Sequence, residues 1–189
     1  FRDAYSACTV CSPTRAAILT GKYPARILLT QWLPAGRWNA RKNRMREGRY
    51  LSNLPLEEVT IAEQLRKAKY RTCFVGKWHL GNDVFCQHGY DEWLSVQDNF
   101  YPKFTRPNPP MSSYYQWLVE NGFEPQTYLA PGLKQFQAQE RSELPAEFQI
   151  GAFLANEADR FIRENTEQPW LLTLSTFEPH PPYTGPYND

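Results

Sequence analysis

Apolar residues recur at helical spacing over residues 61–69, where Ile61, Ala62, Leu65 and Ala68 share a face behind the capping-box sequence Thr60-Ile61-Ala62-Glu63. Residues 70–75 then form a short β-prone run, which the polar turn Gly76-Lys77-Trp78-His79-Leu80-Gly81 ends. The same order returns later. Phe148, Phe153, Leu154, Ala158, Phe161 and Ile162 line one side of a helix expected over residues 147–165, and Pro169 breaks it. The apolar run Trp-Leu-Leu-Thr-Leu-Ser-Thr-Phe over residues 170–177 predicts a buried strand, which empties into Glu178-Pro179-His180-Pro181-Pro182. Two helix-to-strand units of this kind predict an α/β fold with a mostly parallel sheet flanked by helices. In such sheets the loops at the carboxyl ends of the strands hold ligands, so Lys77, His79 and His180 fall where chemistry is expected.

A third helix is predicted near the start of the chain. Ser12 is a candidate cap, Pro13 suits the first helical position, and Gly21 is a left-handed stop after Ala16-Ala17-Ile18-Leu19-Thr20. On this reading Cys11 stands just outside the helix, where free N–H groups and the helix dipole favour an anion, with the Arg15 guanidinium one turn along. Residues 22–55 show no period and are expected to be a long surface loop, with Arg37, Arg41, Lys42, Arg44, Arg46 and Arg49 on a solvated face. The pattern dissolves again in a proline-rich excursion over residues 97–145, in which residues 114–121 form a short helix ended by Gly122. Its aromatics, among them Tyr114, Tyr115, Trp117 and Phe123, suit either the private core of the excursion or sugar-stacking walls.

Composition narrows the function classes more than the fold. With 189 residues and a net charge of +1, the chain suits one domain and has no basic excess for nucleic acid. No apolar run approaches a membrane span, so any anion specificity must be local. Cys8 and Cys11 form a Cys-x-x-Cys, which admits a redox dithiol, an interaction module or half a zinc site. Cys73 and Cys86 supply no second close pair for zinc.

Cys11-Ser12-Pro13-Thr14-Arg15, running on to Leu19-Thr20-Gly21, resembles the signature of the type I sulfatases. Gly76-Lys77-Trp78-His79-Leu80-Gly81 resembles their second signature, and Pro179-His180-Pro181-Pro182 matches a third, Pro-His-x-Pro. The three motifs span nearly the whole chain in the family's order.

The resemblance implies an alkaline-phosphatase-like fold and a single catalytic domain, of which residues 1–189 would be the N-terminal part, incomplete at both ends. It implies that Cys11 is oxidised by a formylglycine-generating enzyme to an aldehyde whose hydrate attacks a sulfate ester. His79 would move the proton that releases sulfate, His180 would protonate the leaving alcohol, and Arg15 and Lys77 would hold the anion. The family's divalent metal, usually calcium, takes an Asp-Asp pair before the cysteine and an Asp-Asn or Asp-Gln pair after the Pro-His loop. Asp3 stands too near Cys11, and Asn188-Asp189 has the wrong order, so formylglycine at Cys11 is the only expected ligand from this chain. An exported compartment and a small-molecule or carbohydrate sulfate ester also follow from the resemblance. Formylglycine-dependent phosphonate monoester and phosphodiester hydrolases share the motifs and form the alternative; a redox or interaction module using Cys8 and Cys11 is the alternative of another class.

Overall fold

The computed structural model describes residues 2–33, 53–96, 112–123 and 144–180. In chain order it holds α1 (Cys11–Thr20), α2 (Pro24–Ile27), α3 (Ile61–Lys67), β1 (Arg71–Gly76), β2 (Glu92–Ser95), α4 (Ser113–Glu120), a 3-10 turn at Ala146–Phe148, α5 (Ile150–Glu164) and β3 (Trp170–Ser175). The three strands form one sheet in the order β2-β1-β3, and both pairings are parallel. The helix-to-strand reading therefore holds, with β1 in the centre.

Strand alternation divides the interior in two. From β1, Phe74 turns to a face covered by Ala16, Leu19, Ile27, Leu29, Leu54 and Ala62, while Cys73 and Val75 turn to one covered by Tyr114, Leu118, Phe153, Leu154 and Phe161. Leu171 and Leu172 of β3 split between the same two faces. Burial of Cys73 against the second face pushes its thiol up to about 12. The described aromatics of the excursion are core rather than walls of a sugar site: Tyr114 stacks near Phe153 with ring centroids 5.5 Å apart, and Trp117 lies 5.1 Å from Phe148.

Helix ends show where side-chain chemistry decided the boundaries. The capping box of α3 is complete, with Thr60 Oγ1 accepting from Glu63 N–H and Glu63 Oε2 accepting from Thr60 N–H. Gly21 closes α1 at φ 67°, its N–H donating to the Ala17 carbonyl. The start of α1 departs from expectation. Cys11 is already its first residue, the cap is Val10 with no side-chain bond, and Pro13 stands third. The Ser12 hydroxyl is committed elsewhere: fully buried, it accepts from Leu33 N–H at 3.0 Å. Pro13 is tolerated there because N–H groups in a first turn lack helical partners anyway.

Three further expectations change. The segment after α1 is no plain surface loop at its ends: Pro24 starts α2, and Ile27, Leu29, Leu33 and Leu54 are buried. The arginine cluster from Arg37 to Arg49 lies outside the described residues. β3 is less buried than its composition predicts, with Trp170 38% and Leu174 48% exposed, because among the described residues it pairs with β1 alone. The helix expected over residues 147–165 begins at Ile150, the 3-10 turn taking up the residues before it.

β1 and β3 meet most closely at their carboxyl ends. Gly76 pairs with Ser175 in register, has φ 123°, and a Cβ there would lie 1.9 Å from the Ser175 carbonyl oxygen. Only glycine satisfies both the dihedral and the approach. Replacing Gly76 with alanine should cost on the order of 3 kcal/mol or more, through strain at a special dihedral and overpacking; urea unfolding that shows a loss below about 1 kcal/mol would contradict this account of the strand ends.

Candidate active site

The five sequence-predicted residues issue from three parts of the fold. Cys11 and Arg15 lie on the first and second turns of α1, Lys77 and His79 on the loop leaving β1, and His180 on the loop leaving β3. The Arg15 guanidinium joins these parts. Its Nη1 donates to the Lys77 carbonyl at 2.6 Å and to the Ser175 hydroxyl, and that hydroxyl donates in turn to the same carbonyl at 2.8 Å. Lys77 N–H completes the junction by donating to the Ser175 carbonyl at 2.9 Å. Arg15 Nε is buried without a hydrogen-bond partner, so one edge of the planar fork is spent on the scaffold and another is not.

Lys77 is 2% exposed, and its Nζ lies 4.7 Å from the centroid of the Phe177 ring. The same ring stands 5.3 Å from the His180 imidazole, edge to face. Phe177 therefore links the cation from the β1 loop to the histidine from the β3 loop. The His180 N–H donates to the Phe177 carbonyl at 3.2 Å, closing a turn that contains a cis Glu178–Pro179 bond.

His79 has a left-handed φ of 55°, unusual outside glycine. Two contacts hold it. Its N–H donates to Asp83 Oδ1 at 2.9 Å, and its Nε2 lies 2.6 Å from the Leu33 carbonyl, which fixes Nε2 as the protonated nitrogen. Since Leu33 N–H donates to Ser12, this one residue ties α1 to the His79 ring.

Electrostatics report the same gathering. Burial lowers the Arg15 pKa, with Cys11 and Asp83 opposing. Burial, then the Arg15 charge, pull the Lys77 ammonium below the usual lysine range, and Cys11 and Asp83 again oppose. His79 is pushed down to about 4 by burial first, then by Lys77, with smaller effects of Arg15 and His180. Two neighbouring cations, a neutral imidazole and the position-11 side chain thus share one environment, in which negative charge is favoured.

Asp83, Ser175 and Phe177 were not singled out from sequence. Asp83 is 1% exposed and fixes His79, while its own carbonyl accepts from the Trp93 indole at 2.8 Å. A carboxylate two residues beyond the glycine of a Lys-x-His loop is a weak signal by itself; Phe177, an aromatic three residues before the histidine, was legible in principle. The remaining histidine, His88, lies under Trp78 with ring centroids 5.6 Å apart, and its carbonyl accepts from Thr60, so it anchors α3.

Among the described residues no group of three or more His, Cys, Asp or Glu side chains is arranged to hold a metal ion. Cys8 and Cys11 are free, half-buried thiols, and the Cys8 carbonyl accepts from the Thr14 hydroxyl at 2.6 Å. No described helix is long and apolar enough to cross a membrane.

Known proteins resemble this chain in sequence and in fold. N-acetylgalactosamine-6-sulfatase of Mus musculus is 36% identical over 127 residues, covering 65% of this chain and 24% of that protein. The crystal structure of Ps i-CgsB in complex with k-i-k-neocarrahexaose is similar over 95% of this chain and 37% of that one, with a TM-score of 0.55 and 26% identity. A phosphonate monoester hydrolase from Silicibacter pomeroyi matches 97% of this chain and 35% of its own, with a TM-score of 0.59 and 22% identity, a likeness of fold. The chain thus spans about a quarter to little more than a third of the proteins it matches. The family model Sulfatase matches residues 1–189, the full extent of the sequence, and the chain belongs to the sulfatase family.

Proposed function

We propose that this chain carries the reacting residues of a sulfuric ester hydrolase, with Cys11 converted to formylglycine as the nucleophile. The observation that supports the reading best is the junction of Arg15, the Lys77 carbonyl and Ser175, because it draws three motifs distant in sequence to the end of one parallel sheet. Cys11 suits the modification by position: half-buried at the head of α1 and close enough to Arg15 and Lys77 for its charge to be felt by both. A hydrated aldehyde there supplies two hydroxyls on one carbon, one to attack sulfur and a second whose loss of a proton releases sulfate.

The chain's own residues then have distinct tasks. Arg15 and Lys77, destabilised by burial and by each other, gain from an incoming anionic ester and hold its oxygens. His79, neutral at pH 7 with its proton on Nε2, carries a lone pair on Nδ1 and suits the proton-accepting role. His180, half-buried beside Phe177, suits protonation of the departing alcohol. The divalent metal of the family does not fit the described residues alone, which gather no carboxylate set, and no step here passes through it. The two relatives whose names carry sugar chemistry favour a sulfated carbohydrate as substrate, while an exported compartment follows from the family resemblance. The phosphonate hydrolase reading rests on the shared motifs and on a likeness of fold, and paired assays with an aryl sulfate and an aryl phosphonate decide between the two.

Peptide mass spectrometry across residues 6–15 of the full-length protein should find the aldehyde at Cys11; an unmodified thiol or a Cys8–Cys11 disulfide in active enzyme refutes the assignment. Cys11→Ala should lower kcat by at least about four orders of magnitude with the melting temperature unchanged. His180→Ala should slow alkyl sulfates much more than activated aryl sulfates, whereas equal losses would exclude the acid role. Because His79 is held at about 4 against an ordinary 6.5, unfolding takes up a proton in that window, so its burial lowers stability as pH falls from about 6.5 toward 4 and has no such effect above it. Urea midpoints should therefore fall over this range more steeply in the wild type than in His79→Gln.

A further inference from the structure

We propose that Ser175 is a positioning residue that sets the direction of the Arg15 guanidinium toward the position-11 side chain. Its hydroxyl touches Arg15 and the Lys77 backbone together, accepting from Arg15 Nη1 while donating to the Lys77 carbonyl. The donor and acceptor count closes without conflict. Arg15 Nη1 has two protons and meets two acceptors, the Lys77 carbonyl has two lone pairs and meets two donors, and the hydroxyl gives one proton and takes one. A closed triangle of this sort, in which one member is charged, holds a planar fork more firmly than a single carbonyl, about which the fork can pivot.

Position 175 is itself fixed. Ser175 pairs with Gly76 in the parallel register, its carbonyl accepts from Lys77 N–H at 2.9 Å, and the bare backbone of Gly76 lets the two strands close. The last residue of β3 thus transfers the rigidity of the sheet to a side chain on α1. With Nη1 occupied on the scaffold, Nε, buried and without a partner, lies on the edge of the guanidinium that can meet an oxyanion.

The kinetic test rests on the sulfatase reading; the crystallographic test does not. In the full-length protein, Ser175→Ala should lower kcat/KM for p-nitrophenyl sulfate by about tenfold or more, with an unchanged melting temperature, and Ser175→Thr, which keeps the hydroxyl, should stay within about threefold of wild type. In an Arg15→Lys background, which lacks the fork, Ser175→Ala should cost little more. An equal loss in both backgrounds, or unchanged kcat/KM for Ser175→Ala, overturns the proposal. Crystal structures of wild type and Ser175→Ala read the same point directly: a guanidinium rotated off the Lys77 carbonyl supports it, and an undisplaced one overturns it. Should the wild type hydrolyse no sulfate ester, the sulfatase reading falls and the crystal structures decide the role of Ser175 alone.

Discussion

No side chain can stand at position 76, where a Cβ would run into the Ser175 carbonyl of β3, and the candidate site depends on that approach. Gly76 gives up its side chain so that Lys77 N–H can reach the Ser175 carbonyl. The Lys77 carbonyl is then turned toward α1, where Arg15 meets it. If the strands stood further apart, the two loops that leave them would diverge, and Phe177 could not lie between Lys77 and His180. The parallel pairing matters as much as the distance. It delivers both loops to the same end of the sheet, which an antiparallel arrangement of β1 and β3 would not do.

A second constraint is the cost of burying like charges together. Arg15 and Lys77 are neighbours in a dry environment, and each lowers the tendency of its surroundings to hold a proton. The protein offsets this with backbone carbonyls, with the face of Phe177 and with Asp83 nearby. The result is a site poised for an anion and an imidazole kept neutral at the pH where most enzymes operate. Neither property belongs to one residue; both come from the way one helix and two loops share a small volume.

Much of the fold was legible because its signals were local and periodic. The capping box at Thr60 and Glu63, the apolar stripe of α5 and the glycine closing α1 each declare themselves within a few residues. The parallel sheet followed from helix-to-strand order. What escaped was decided at long range. Ser12 looks like a cap until Leu33, far along the chain, takes its hydroxyl, and then the helix starts two residues earlier, capped by Val10. β2 is only four residues long and left no readable alternation. The apolar run of β3 was read as buried, yet a strand's composition does not say how many neighbours it has. Of the candidate site, the residues proposed to react were named from motif and loop position, while Asp83, Ser175 and Phe177, which touch them, became visible only from contacts.

That Arg15 grasps the main chain at position 77, and not its side chain, separates architecture from charge at this point of the enzyme. The ammonium at 77 can be replaced by a neutral group of similar shape while the backbone that carries it still has the same oxygen to offer the guanidinium. Lysine 77 is thereby an interchangeable head on a permanent mount, and the energetic worth of its charge can be measured without dismantling the seat of its neighbour.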